Sequence, residues 1–211
     1  MIKVLLVDDH AVVRTGLKQI LERGHEQVLV GEAGTGDEAL QKVRLSHWDA
    51  VVLDISLPDR SGLDVLKQIK SLNPKLGVLV LTMHGEQQYA VRALRAGATG
   101  FLTKQSAPEE LMAAICQVAR GGRYVSPPLA ERLAFDLAIG KPGALLHEAL
   151  SDREFQVLSL LASGKTITDI SRQLCVSVKT VSTHRARLLK KMRMRNNAEL
   201  IQYAIRSGLV P

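Results

Sequence analysis

The sequence is short of aromatic residues, cysteines and long apolar runs. Phe, Tyr and Trp make up only 3% of its residues, too few for a row of rings on which single-stranded bases could stack. There are two cysteines, Cys116 and Cys175. Both fall in helical patterns with no partner spacing, so buried, reduced thiols are expected rather than a disulfide or a metal site. No stretch reaches the roughly 18 apolar residues of a membrane-spanning helix. The start, Met1-Ile2-Lys3-Val4, lacks the layout of a signal peptide. A cytoplasmic chain with no membrane partner is expected. A Gly-x4-Gly-Lys-Ser/Thr phosphate loop is also missing, and Gly34-Thr35-Gly36 is too short to replace it, which argues against nucleotide hydrolysis.

What is present divides in two. At 211 residues, with 46% apolar content, one or two domains with real cores are expected. From Ser151 to Pro211 there are 11 Lys and Arg against 4 Asp and Glu, so this segment holds the chain's whole net charge of +7. Residues 1–150 balance at zero. A basic segment set apart in this way suggests a polyanionic partner, nucleic acid first; a solvated basic face would look the same on charge alone.

The neutral part alternates between two kinds of pattern. Short apolar runs at Ile2–Val7, Gln27–Ala33, Asp49–Leu53, Gly77–Leu81 and Thr99–Leu102 read as strands. Helical periodicity fills the gaps: His10–Arg23, Asp37–Leu45, Gly62–Leu72, Glu86–Ala96 and Pro108–Arg120. Five such units imply an α/β fold with a doubly wound, five-stranded parallel sheet.

The strand ends carry the chemistry. The run Ala50-Val51-Val52-Leu53 leads into Asp54, then into a loop with Pro58 and Gly62. Burying a bare carboxylate is costly, so Asp54 belongs at the strand's end, where ligands of open α/β sheets bind. Asp8 and Asp9 follow the first run, Thr82 the fourth and Lys104 the fifth. Each has an ordinary reading alone: Asp8 as a helix cap, Thr82 as a strand terminus, Lys104 as a surface lysine. Together, three carboxylates and one ammonium form a layout for a hard cation such as Mg²⁺, which takes one or two carboxylates, waters and a phosphate. With charge neutralised, Asp54 could attack a phosphoryl group and hold it as an acyl phosphate, with Thr82 donating to a phosphoryl oxygen.

Asp8-Asp9, Asp54 with Pro58 and Gly62, Thr82, and Gly97-Ala98-Thr99-Gly100-Phe101-Leu102-Thr103-Lys104 resemble the receiver domain of two-component response regulators over residues 1–122. The resemblance implies a flavodoxin-like fold in which Asp54 accepts phosphate from a sensor histidine kinase. It implies that Asp9, Asp54 and the Ser56 carbonyl bind Mg²⁺, with Asp8 acting through water. It makes Thr82 and Phe101 the switch pair and Lys104 the clasp on the phosphate. Phe101 keeps the ring of the commoner Tyr but lacks its hydroxyl. His84, two residues past Thr82, falls where the family varies and bears on the lifetime of the phosphate, or is simply a solvated loop residue.

Residues 123–146 read as a linker with one short helix opened by Pro127-Pro128 and broken by Gly140-Lys141-Pro142-Gly143. A sixth receiver helix is the alternative. Residues 147–211 read as four helices. Ser151-Asp152-Arg153-Glu154 is a capping box ahead of a helix with Phe155, Leu158 and Leu161 inward. Thr166–Leu174 is a short second helix. After a tight turn at Cys175-Val176, Ser177 caps a third that runs to Met192. The last starts at Asn196-Asn197. In the third helix Val178, Val181, Leu188 and Met192 should be buried. Lys179, Ser182, Thr183, Ala186 and Lys190 lie on the other side, small or basic, suited to a major groove of duplex DNA.

Leu150-Ser151-Asp152-Arg153-Glu154, Gly164-Lys165-Thr166 and Ser177-Val178-Lys179-Thr180-Val181-Ser182-Thr183-His184 resemble the LuxR-type helix-turn-helix. Both halves together resemble a NarL/FixJ-family response regulator. By that resemblance Ser182, Thr183 and Ala186 face bases, Lys179, Thr180, Arg185 and Lys190 hold the backbone, and residues 196–206 dimerise. Arg193 stands where the family usually has glycine, which carries a backbone cost if φ must be positive. The expected function is a phosphorylation-switched regulator that binds duplex DNA as a homodimer and is not an enzyme. Two alternatives rank lower: an aspartyl-phosphate phosphatase or transferase, for which Ser56 leaves no general acid two residues past Asp54, and a receiver serving only to dimerise.

Overall fold

A computed structural model describes residues 1–23, 27–82, 86–106, 108–127, 129–131, 134, 146–207 and 209. The chain divides into two compact units, Met1–Leu133 and Ala134–Pro211. His84 and the Gly140–Gly143 breaker lie outside the described residues.

The first unit alternates strand and helix: β1 (Ile2–Val7), α1 (Ala11–Arg23), β2 (Val28–Ala33), α2 (Gly36–Leu45), β3 (Ala50–Leu53), α3 (Gly62–Leu72), β4 (Gly77–Thr82), α4 (Glu86–Arg95), β5 (Gly100–Thr103), α5 (Pro108–Ala119) and β6 (Tyr124–Val125). All pairings are parallel, in the order β2-β1-β3-β4-β5-β6. Among the described residues the sheet therefore has six strands rather than the expected five. Tyr124 and Val125 pair with Gly100 and Phe101 at its edge, a two-residue strand too short to show a pattern of its own in the sequence.

The central strands are apolar because helices cover both faces of a parallel sheet. Every residue of β3 and β4 is buried. Successive side chains point to opposite faces, so Val4, Leu6, Val52, Leu79, Leu81 and Leu102 join Leu21 of α1 and Leu111, Ile115 and Val118 of α5 in one core cluster. Chain order reverses between β1 and β3, and this is the switch point at which ligands of such sheets bind.

The second unit contains a 3₁₀ turn (Leu146–Ala149) and the helices α6 (Asp152–Ala162), α7 (Ile167–Gln173), α8 (Val178–Met192) and α9 (Asn197–Arg206). Local chemistry starts each helix. Ser151 and Thr166 form reciprocal capping boxes with Glu154 and Asp169, and Ser177 and Asn196 cap the other two. Phe155, Leu158, Ile170, Leu174, Val181, Leu188, Met192 and Leu200 make the core.

Two expectations fail here. Val178 is 47% exposed. At about 100° per residue it lies about 60° around the helix from Val181, whereas Leu188 and Met192 lie within about 20° of it. Cys175 is exposed as well, because α7 has ended and the residue turns the chain with φ 49°.

Candidate functional site

Register places the acidic groups side by side. Val7 pairs with Leu53, and the Asp54 amide donates to the Val7 carbonyl at 2.9 Å. Asp8 and Asp54 are thus the next residues along two neighbouring strands. One strand further, Thr82 pairs with Thr103, and the Lys104 amide donates to the Thr82 carbonyl at 2.8 Å. The sheet therefore brings four chemically active strand ends to one edge.

Lys104 Nζ donates to Asp54 Oδ2 at 2.7 Å and also ion-pairs with Asp8 Oδ2. Asp8 and Asp54 are 1% and 3% exposed, so both carboxylates meet this ammonium with little water between. Burial pushes the Asp54 carboxyl above the usual carboxylate range; Lys104 pulls back, while the neighbouring Asp8 adds to the push. Burial disfavours the Lys104 ammonium too, yet Asp54 and Asp8 outweigh it and hold its pKa above the ordinary lysine value. Asp9 completes the pocket. Its Oδ1 lies 2.7 Å from Nδ1 of His10, and ligand atoms of Asp8, Asp9, His10 and Asp54 all lie within 4.8 Å of one another.

This donor set fits a divalent cation. Three carboxylates face one lysine and a mostly exposed histidine. Asp8 Oδ2 and Asp9 Oδ1 are buried oxygens that accept no well-aligned hydrogen bond among the described residues, although Lys104 and His10 stand beside them. Hard cations take such oxygens.

The loop after β3 holds Asp54 in place. The Ser56 amide donates to Asp54 Oδ1 at 3.1 Å, Ser56 bridges to Ser61, and the Gly62 amide donates to the Ile55 carbonyl at 2.9 Å. A Cβ on Gly62 would lie 2.1 Å from the Asp54 carbonyl oxygen, so only glycine allows this approach. Thr82 and Phe101 are both buried, Thr82 at the end of β4 and Phe101 within β5, between Val80 and Val125.

Three contributors to the site were missed in the sequence. His10 carried the signal of directly following Asp8-Asp9. Asp59 accepts from the amides of Gly36 and Asp37, both at 2.9 Å, and so ties the Asp54 loop to the start of α2. Arg14 donates to the Asp8 carbonyl at 2.7 Å and to Glu32 at 3.1 Å. Asp59 and Arg14 work across the tertiary fold and leave no local pattern.

The second candidate site is one side of α8. Lys179, Thr183, Ala186 and Lys190 are exposed and lie opposite buried Val181, Leu188 and Met192. Thr180 and Ser182 are half-buried at the margins of this side, and Arg185, also half-buried, lies about 40° around the helix from Val181, on the packed side. Thr183 Oγ1 donates to the Lys179 carbonyl at 2.9 Å, and Arg185 Nε donates to Asn197 at the start of α9 at 2.6 Å. Burial, with Arg153 and Arg187 nearby, holds the His184 imidazole below its ordinary value.

Comparison with known proteins defines the class. Residues 4–116 match the response regulator receiver domain, and residues 148–204 match the bacterial regulatory proteins of the luxR family. The chain belongs to the response regulators that join a receiver to a LuxR-type DNA-binding domain, a family of transcription regulators rather than enzymes. More particularly, it is similar to response regulator UvrY of Escherichia coli, with 36% identity over 99% of this chain and 96% of that one. Response regulator GacA of Pseudomonas aeruginosa is 36% identical over 100% of this chain and 98% of its own. Among solved structures, RcsB of Salmonella enterica serovar Typhimurium, bound to promoter rprA in the presence of the phosphomimetic BeF3-, matches with a TM-score of 0.63 and 29% identity. That match covers 96% of this chain and 97% of the other. None of the described helices is long and apolar enough to cross a membrane.

Proposed function

We propose that Asp54 is the phosphoacceptor of this response regulator, that a sensor histidine kinase is the donor, and that the modification controls binding to duplex DNA by a cytoplasmic homodimer. The observation that carries the proposal is Lys104 Nζ held between Asp54 and Asp8 at the sheet's switch point. In the transfer, an Asp54 carboxylate oxygen forms a bond to phosphorus as the bond from phosphorus to the donor's imidazole nitrogen breaks. Mg²⁺, when bound, supplies positive charge against the phosphoryl oxygens. Asp9, Asp54 and the Ser56 carbonyl would hold it, with Asp8 acting through water. Lys104 gives its ammonium to a phosphoryl oxygen, and the Thr82 hydroxyl donates to another. Thr82 then moves inward, and Phe101 follows.

In this reading residues 1–122 are the phosphoacceptor domain, 123–146 the connector and 147–211 the DNA-binding domain. Along α8, Ser182, Thr183 and Ala186 meet base edges, while Lys179, Thr180, Arg185 and Lys190 hold phosphates. The test of the phosphoacceptor is labelling by a small phosphodonor with Mg²⁺. Asp54→Asn should abolish labelling, and Asp8→Asn should leave some. Undiminished labelling of the Asp54 variant would reject the assignment.

A further inference from the structure

His10 is the part of the acidic pocket that the phosphoryl-transfer reading does not use. It stands between the end of β1 and the start of α1, and its amide donates to Asp8 Oδ1 at 2.9 Å. Its side chain is 65% exposed, yet its Nδ1 stands against the carboxylates. Nδ1 lies 2.7 Å from Asp9 Oδ1 and 3.3 Å from Asp8 Oδ1. Around an octahedral ion with bonds of about 2.1 Å, neighbouring ligand atoms stand about 3.0 Å apart. The imidazole nitrogen is therefore already close to the spacing of a ligand adjacent to the Asp9 carboxylate.

An imidazole changes which ions a carboxylate pocket prefers. Mg²⁺ is hard and gains little from nitrogen, whereas Co²⁺, Ni²⁺ and Zn²⁺ accept imidazole readily. Resting on the reading of this pocket as a divalent-cation site, we propose that His10 Nδ1 is a further ligand there for Co²⁺, Ni²⁺ and Zn²⁺ and tightens the pocket's hold on these ions. Ligation requires the neutral ring with its proton on Nε2, and the present approach of Nδ1 to Asp9 gives way to a shared ion. Because His10 is exposed, its replacement removes the nitrogen without opening the core.

The untagged full chain would be titrated with Co²⁺ and, separately, with Mg²⁺ by calorimetry, with visible absorption recorded for Co²⁺. The wild type should bind Co²⁺ at one site at least about tenfold more tightly than His10→Ala does, and excess Mg²⁺ should displace that Co²⁺ along with its absorption. Mg²⁺ affinity should be the same in both proteins. His10→Gln retains a polar side chain of similar reach beside Asp9 but no imidazole nitrogen, and should behave as His10→Ala does. Equal Co²⁺ affinity in the wild type and both variants overturns the assignment. Parallel loss of Co²⁺ and Mg²⁺ affinity also overturns it, because His10 would then only support Asp9. A wild type that binds neither ion overturns the cation pocket itself, and this inference with it.

Discussion

Lys190 and Thr183 share one side of α8 but should act differently on DNA. Lys190 is a flexible cation at the exposed surface, suited to a phosphate, and phosphate contacts carry affinity without sequence information. Lys190→Ala should weaken specific and random duplexes alike and reduce the salt slope of binding by about 1. The Thr183 hydroxyl donates to the Lys179 carbonyl, and the side chain is exposed, so its oxygen can still accept from a base. Thr183→Ala should cost about 1–3 kcal/mol on the specific site and little on random DNA. Salt titrations on both kinds of duplex check the pair; the opposite pattern would mean that the base-facing side of the helix is misassigned. The same residues show how far single positions can be read. Lys179, Thr183, Ala186 and Lys190 follow from helical spacing alone, because three- and four-residue steps return to one side of a helix. The contacts of Arg185 do not. Arg185 is held by Asn197, a partner twelve residues along the chain that only the packing of α8 on α9 supplies.

Helix ends carry the clearest energetic consequences at the scale of elements. Arg193 closes α8 in the left-handed region, at φ 55° and ψ 39°, with its amide donating to the Leu189 and Lys190 carbonyls. That conformation costs a side-chain-bearing residue about 1 kcal/mol, and Arg193 is exposed, with little packing to lose. Arg193→Gly should therefore stabilise the second unit by about 0.5–1 kcal/mol, read as higher protection of α8 and α9 amides in hydrogen exchange. Unchanged or lower protection would mean that the arginine makes a compensating contact. Glu154 caps α6 and also meets Lys191 of α8 at 2.6 Å. Burial would raise its pKa, but Lys191 and the Ser151 amide outweigh burial and hold the carboxyl below 4.5. Its folded pKa is thus depressed, so its contribution is fully present above pH 4.5 and is lost as pH falls through the lower folded value. The protection advantage of the wild type over Glu154→Gln in the second unit should shrink as pH drops below 4.5, and an advantage that grew instead would reverse the sign assigned here.

Across the whole molecule, a charge-neutral receiver is joined to a basic LuxR-type helical unit, in which α8 is the one helix proposed to read DNA. One such helix makes few contacts, whereas two joined copies gain through effective concentration. Phosphorylation at Asp54 should act by shifting the monomer–dimer equilibrium toward the dimer, through repacking of Thr82 and Phe101 and the surface around them. Sedimentation of the phosphorylated and unphosphorylated chain measures this directly. Identical equilibria in the two forms would exclude dimerisation as the switch.

By itself the sequence determined the alternation of strand and helix, the capped helix starts at Ser151 and Ser177 and the residues at the strand ends. These depend on local periodicity and on polar groups placed next to apolar runs, which act over a few residues. Tertiary structure decided what depends on register and packing. It added β6, whose two residues become a strand only because β5 offers an open edge. It brought Lys104 to the Asp8 carboxylate that His10 also meets, across 94 positions of sequence from His10. It tied Asp59 to α2, and it left Val178 and Cys175 exposed where helical patterning had placed them inside. A residue's neighbours along the chain act through short, fixed geometry, whereas its neighbours across the fold are set by how whole elements pack together.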